Sequence, residues 1–203
     1  MGSCCVRSRP SRFPGPGAED VLVAPDGRIL VCDAHRGLLA LDPATGELET
    51  LLTEVDGDRL LFTNNAAVMP DGTIWFSDSS RVWPIEEWKN DLIEHTCTGR
   101  LLRRTPDGMV TTVVDRLCFA NGVALTAEMD AVLVAETGTR TIRRVALGAD
   151  GSPRATTTWA EDLAFDATRW HLATGVREHD GRVWLGSLVE PAIAWSDALV
   201  DHP

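Results

Sequence analysis

No run of apolar residues in this chain is long enough to cross a membrane. The start, MGSCCVRSRPSRF, lacks the apolar segment of a secretory signal, and Val6 stands where a myristoylation motif wants Ser or Thr. These absences predict a cytoplasmic protein with no membrane partner and a disordered tail over 1–14. Basic charge is scarce: 19 Lys and Arg stand against 30 Asp and Glu, for a net charge of −11. Phosphate backbones are held by clustered Lys and Arg, so nucleic acid is excluded as a partner. The five cysteines, Cys4, Cys5, Cys32, Cys97 and Cys118, are odd in number and include no CxxC pair. They read as free thiols in a reducing compartment.

What the chain does contain is a succession of short apolar runs separated by turn residues. The stretch VLVAPDGRILVCDAHRGLLALDPATGELETLL has four such runs, 21–23, 28–32, 37–41 and 48–52, broken by PDG, DAHRG and DPATGE. Four antiparallel strands in sequence form a meander sheet. The pattern restarts at AAVMPDGTIWFSDSS, again at GVALTAEMDAVLVAET, and a fourth time at GVREHDGRVWLGSL. A repeat of roughly 45 to 60 residues with four strands each is the signature of an all-β fold, the β-propeller. A β-sandwich would leave the repeating internal frame unexplained. One insertion, 80–99, interrupts the second unit. Ile85, Trp88 and Leu92 fall on one helical face after Pro84, so a short amphipathic helix is expected there, capping one end of the propeller or covering a pocket.

Within the stretch FANGVALTAEMDAVLVAETG, Asn121 stands where an apolar strand begins, although Asn is depleted in strands. The stretch FTNNAAVMPDGTIWFSDSS has the same frame around Asn64. Counting back six residues from the first hairpin turn of each unit gives Glu19, Asn64 and Asn121. The first strand of every propeller blade lines the central channel, so equivalent positions converge on its axis. One carboxylate and two amides there form an oxygen-donor set suited to a hard cation such as Ca²⁺. The plainer reading is that these side chains satisfy backbone groups at strand ends. Three polar residues in one register favour the cation site.

The segments GPGAEDVLVAPDGRILVCDAHRGLLALDP, FTNNAAVMPDGTIWFSDSS, TGRLLRRTPDG and FANGVALTAEMDAVLVAETGTRTIRR resemble the strictosidine synthase-like proteins. That group is related to gluconolactonases, senescence marker protein, paraoxonases and diisopropylfluorophosphatase. The resemblance, from about Gly15 to Leu188, implies a six-bladed propeller, of which 15–203 holds about three and a half blades. It implies a small-molecule substrate, a lactone or ester, hydrolysed at a Ca²⁺ held by a Glu, two Asn and an Asp. Glu19, Asn64 and Asn121 match the first three. The Asp position falls on Ala173 or Thr174 by two different alignments, and neither is a carboxylate. Asp166 and Glu178 are close in sequence but out of register, and Asn65 replaces an Asp usual in the family. Two anionic groups are thus missing, and an incomplete ring would leave open blade edges prone to self-association. No catalytic base is assigned; His35 and His95 read as surface histidines. The alternatives are a non-catalytic propeller fragment and a metal-free Pictet–Spengler enzyme. The second relies on a late-blade glutamate in the part of the propeller this chain lacks.

Overall fold

The computed structural model of the chain describes residues 17–161, 173–179, 182–187 and 194–197. Its first sheet is β1 (Ala18–Val23), β2 (Ile29–Asp33), β3 (Gly37–Leu41) and β4 (Leu48–Leu52), paired in that order. A small hairpin follows, β5 (Glu54–Val55) and β6 (Asp58–Arg59). Next come the sheets β7 (Thr63–Val68), β8 (Ile74–Asp78), β9 (Gly99–Arg104) and β10 (Val110–Leu117), then β11 (Ala120–Leu125), β12 (Ala131–Glu136), β13 (Thr141–Leu147) and β14 (Pro153–Ala160). A last sheet holds β15 (Ala173–His179), β16 (Arg182–Ser187) and β17 (Ala194–Asp197). All pairings are antiparallel. Successive first strands touch one another, β1 on β7, β7 on β11 and β11 on β15. The architecture is that of propeller blades around a channel.

Period-two alternation packs the second and third blades against both neighbours. On β8, Phe76 joins Leu30, Leu38 and Leu102 in the core between the first two blades. Trp75, one residue earlier, faces the third blade with Val123, Val132 and Val134. On β12, Leu133 and Ala135 turn the opposite way, towards Val176 and Leu185 of the fourth blade.

The turns explain where the strands stop. In PDG the Gly27, Gly72 and Gly108 backbones take φ of 85°, 89° and 91°, a region open to glycine at little steric cost. Each closes a turn by donating its N–H three residues back, to Ala24, Met69 and Thr105. In the third blade the same turn places Met129 at φ 56°. The β5–β6 hairpin turns on Asp56 and Gly57, both at positive φ, the Asp-Gly signature of a two-residue hairpin.

The insertion contains a short helix. A 3₁₀ turn over Ile85–Glu87 leads into α1 (Trp88–Glu94), and Pro84 is extended just before it. Ile85, Trp88 and Leu92 pack on Ala34, Phe62 and Phe119. The buried Asp91 holds both flanks of the segment: its Oδ2 accepts the hydroxyls of Ser80 and Thr96.

Free thiols are a correction for two of the cysteines. Gly99 and Leu117 are paired at the end of the β9–β10 hairpin. The chain just outside that pair therefore runs side by side, and Cys97 and Cys118 form a disulfide. Cys32 is free and buried, and its burial pushes the thiol well above its usual range. Cys4 and Cys5 lie outside the described residues. A disulfide is the chemistry of an oxidising compartment, so the argument for a reducing one loses its basis.

Candidate functional site

Every first strand begins with the same irregularity. Ala18 pairs with Asp33, Thr63 with Asp78, Ala120 with Glu136 and Ala173 with Ser187. In each case the register then slips across the next one or two residues. Such a bulge re-aims a side chain that would otherwise follow the pleat. The residues at this point are Glu19, Asn64, Asn121 and Thr174. The register therefore chooses between the two candidates for the fourth position: Thr174 is equivalent to the other three, and Ala173 to Ala18, Thr63 and Ala120.

All four line a single pocket of about 370 Å³, with Asn65, Gly175, Phe62, Phe119, Ile85 and Trp88. The pocket has two kinds of wall. One is the ring of strand starts. The other is aromatic and aliphatic, and the inserted segment supplies half of it. Phe62 and Phe119 meet edge to face with centroids 5.5 Å apart, and Trp88 tilts over Phe119 at 6.3 Å. The insertion thus forms one side of the pocket. A second contact holds it there, His35 Nε2 against Glu86 Oε1 at 3.2 Å.

The two asparagines are aimed differently from ordinary strand-end residues. Asn64 is 7% exposed, yet its amide makes no hydrogen bond among the described residues. Asn121 is equally buried, and its Nδ2 donates to Thr137 Oγ1 at 3.3 Å. That bond turns the nitrogen away and leaves the amide oxygen free. Glu19 keeps contact with solvent. Partial burial raises its carboxyl pKa, Asp33 raises it further, and His35 partly offsets both.

Asn65 has another task. Its Oδ1 accepts the Val123 N–H of the third blade at 2.7 Å. One blade earlier, Asp20 Oδ2 accepts the Ala66 N–H at 3.2 Å. The residue after each site residue thus staples its strand to the next. In the third blade that residue is Gly122, where a Cβ would lie 2.5 Å from Thr174 O and 2.8 Å from Val176 N. There the two backbones close directly.

Sequence reasoning missed the acids that hold the strand starts in place. Asp78 Oδ1 accepts the Phe62 N–H at 2.9 Å, and its Oδ2 accepts Arg100 Nε at 3.1 Å. Glu136 Oε1 accepts the Cys118 N–H, and Asp33 Oδ1 accepts those of His35 and Arg36. The signal was present: an acid closes the second apolar run of each of the first three repeats. Asp78 is fully buried, and desolvation raises its pKa against the pull of the Phe62 N–H and of Arg100.

Of the other residues considered, Glu178 lies farther along β15, where its Oε2 meets the Ala127 N–H at 3.4 Å. It is not among the residues lining the pocket. Asp166 lies outside the described residues. His95 caps α1 and lines a separate pocket with Leu92 and 137–140. No group of three or more His, Cys, Asp or Glu able to hold a metal occurs among the described residues, so any cation here rests on one carboxylate and on amides.

A channel of meander blades with polar residues at its mouth defines a β-propeller with an axial pocket. The chain belongs to the SMP-30/gluconolactonase/LRE-like family, whose profile matches residues 8–167. It is 39% identical to the adipocyte plasma membrane-associated protein of Salmo salar over 130 residues, 62% of this chain and 31% of that protein. With strictosidine synthase-like 2 of Arabidopsis thaliana it shares 35% over 112 residues, 55% of this chain and 30% of that one. The chain therefore spans about a third of the length of these relatives. Among solved structures, a gluconolactonase from Xanthomonas campestris superposes with a TM-score of 0.68 at 22% identity, over 89% of this chain and 59% of that one. Agrobacterium tumefaciens regucalcin, a calcium-binding protein, gives 0.66 at 19%, over 87% and 55%. These superpositions establish the fold. Among the described residues no helix is long and apolar enough to cross a membrane.

Proposed function

We propose that the axial pocket is the site of a Ca²⁺-dependent hydrolase of small lactones or esters, with Glu19, Asn64 and Asn121 as the cation's protein ligands. The observation that carries this reading is the pair of asparagines: equivalent in register, buried, and with amide oxygens left unbonded in a shared pocket. Amide oxygens that have no hydrogen-bond partner among the described residues and line the pocket are free to ligate an oxygen-seeking cation. Family membership and the likeness to a gluconolactonase and to regucalcin support the same class. When bound, such a cation polarises a carbonyl and acidifies a bound water. The protein's part is to hold the ligand oxygens still, through the Thr137 bond and the strand-start acids, and to exclude water through the apolar wall.

Thr174 favours a second reading, in which the propeller binds a cation without turning over substrate. A threonine at the fourth position leaves Glu19 as the single anionic ligand, and Ca²⁺ affinity follows ligand charge. Trp88 lines the pocket, so Tb³⁺ bound there should luminesce on tryptophan excitation, and Ca²⁺ should compete it away. Chelator-sensitive turnover of lactones and aryl esters then separates the two readings. Competition with turnover supports the hydrolase, and competition without turnover supports the second reading. No sensitised emission, or emission unaffected by Asn64→Leu and Asn121→Leu, overturns both.

A further inference from the structure

A second pocket, of about 240 Å³, shares no residue with the first. It is lined by His35, Arg36, Thr50, Thr53, Arg59 and Leu60. Acids outnumber bases 30 to 19, yet neither Arg36 nor Arg59 forms a salt bridge among the described residues. Arg36 Nη1 is buried with no hydrogen-bond partner among the described residues. Arg59 Nη2 donates to the His35 carbonyl at 2.9 Å, which fixes the guanidinium and leaves its other N–H groups free. The hydroxyls of Thr50 and Thr53 make no hydrogen bond among the described residues.

Of the neighbouring carboxylates, Asp33 and Glu86 have partners, and Glu54, opposite Arg59 in the β5–β6 hairpin, is exposed and is not among the residues lining the pocket. Asp33 accepts the backbone N–H groups of His35 and Arg36, at 2.9 and 3.0 Å. Glu86 sits against the His35 ring. A buried guanidinium nitrogen without an acceptor is unfavourable, and two planar forks with two hydroxyls present more donors than the two oxygens of one carboxylate can take. A tetrahedral dianion has the oxygens and the charge to satisfy both arginines. We infer that this pocket binds a small soluble phosphomonoester, at a site separate from the axial one. Because His35 also holds Glu86 of the insertion, the bound anion would lie beside the insertion's ionic contact.

The test is isothermal titration calorimetry of the whole chain in phosphate-free buffer, with inorganic phosphate, glycerol 3-phosphate and acetate, and with phosphatidic acid vesicles as a fourth arm. Saturable binding of phosphate and of glycerol 3-phosphate, with acetate much weaker, is expected. Arg36→Met and Arg59→Met should each weaken it about tenfold and the double variant should abolish it. Thr53→Val keeps both arginines, so it reports on the site even if those variants fold poorly; it should weaken binding by about threefold. Arg154→Met, far along the chain, should leave binding unchanged. Absence of phosphate binding, binding that survives in the folded double variant, or binding to vesicles alone would each overturn the inference.

Discussion

The two ends of the first strands obey different rules. At the turn end, the first two blades carry the same PDG, with Gly27 and Gly72 in the same backbone conformation. At the pocket end, four blades carry Glu19, Asn64, Asn121 and Thr174 at one bulge position. The turn end is set by backbone geometry, which accepts few residues. The pocket end keeps its geometry through Asp20, Asn65, Asp78 and Glu136, which leaves the bulge residue free to differ from blade to blade. A repeat fold can thus hold a non-repeating pocket, because one set of residues fixes the backbone and an adjacent set lines the cavity.

The largest break in that division should come from Asp78→Asn. The Asp78–Arg100 pair is 0% and 2% exposed. The Asn amide keeps one acceptor oxygen where Asp78 used two, so either the Phe62 N–H or the Arg100 guanidinium meets an NH₂ donor, at about 1–3 kcal/mol. Chemical denaturation should show the loss. Its pH dependence carries a further mark. The folded pKa of Asp78 is raised, so the folded state holds this proton more tightly than the unfolded chain does. The group's contribution therefore favours the fold at low pH and is lost as pH rises from the ordinary Asp value through the raised one. The asparagine variant should lack that slope.

Much of the division was legible in the sequence. The turns PDG and DPATGE, the period-two runs and the six-residue offset were enough to expect blades and the shared register of Glu19, Asn64 and Asn121, and the spacing over 80–99 a short helix that either caps the propeller or covers a pocket. The parts that were not legible depend on contacts between residues distant in sequence. Asn65 looked like a lost ligand charge, but its Oδ1 is bonded to a residue 58 positions away. Ala173 and Thr174 could not be separated by counting, because the choice depends on where the bulge falls in the β15–β16 pairing. The Cys97–Cys118 bridge depends on the β9–β10 pairing bringing the two segments together, which an odd cysteine count does not reveal.

Asn64 and Asn65 sharpen the comparison, being the same residue type side by side. Asn65→Ala should cost about 1–3 kcal/mol, since it strands the buried Val123 N–H. Asn64→Ala should change stability much less, since its amide makes no hydrogen bond among the described residues, but should remove Tb³⁺ sensitisation. Thermal melts and luminescence on both variants would separate the roles. Equal losses of stability would show that the bulge residue is also part of the scaffold.

Thr174→Asp tests the pocket end alone. A second carboxylate at the fourth equivalent position should strengthen Ca²⁺ binding about tenfold, by ligand charge. Without cation, the added charge should slightly destabilise the fold through repulsion with Glu19. Titration of Tb³⁺ emission with Ca²⁺, together with melts in chelator, checks both signs. An unchanged affinity would mean that the fourth blade does not contribute to the cation site.

The smallest effect should come at the turn end. Met129 occupies the place of Gly27 and Gly72 in its turn, at φ 56°, and its side chain is exposed. A non-glycine residue in the left-handed region is strained by about 1 kcal/mol. Met129→Gly relieves that strain. It also gives the unfolded chain more conformational freedom, which offsets part of the gain. The net expectation is a stabilisation of up to about 1 kcal/mol, read as a rise in the denaturation midpoint with an unchanged slope. Gly27→Met is the reverse exchange in the first blade. No atom lies within 4 Å of a Cβ built at Gly27, so its loss would report backbone strain alone. Opposite signs from the two exchanges would confirm that the turn end is set by φ. A loss from both would show that the Met129 side chain makes a stabilising contact outweighing its strain.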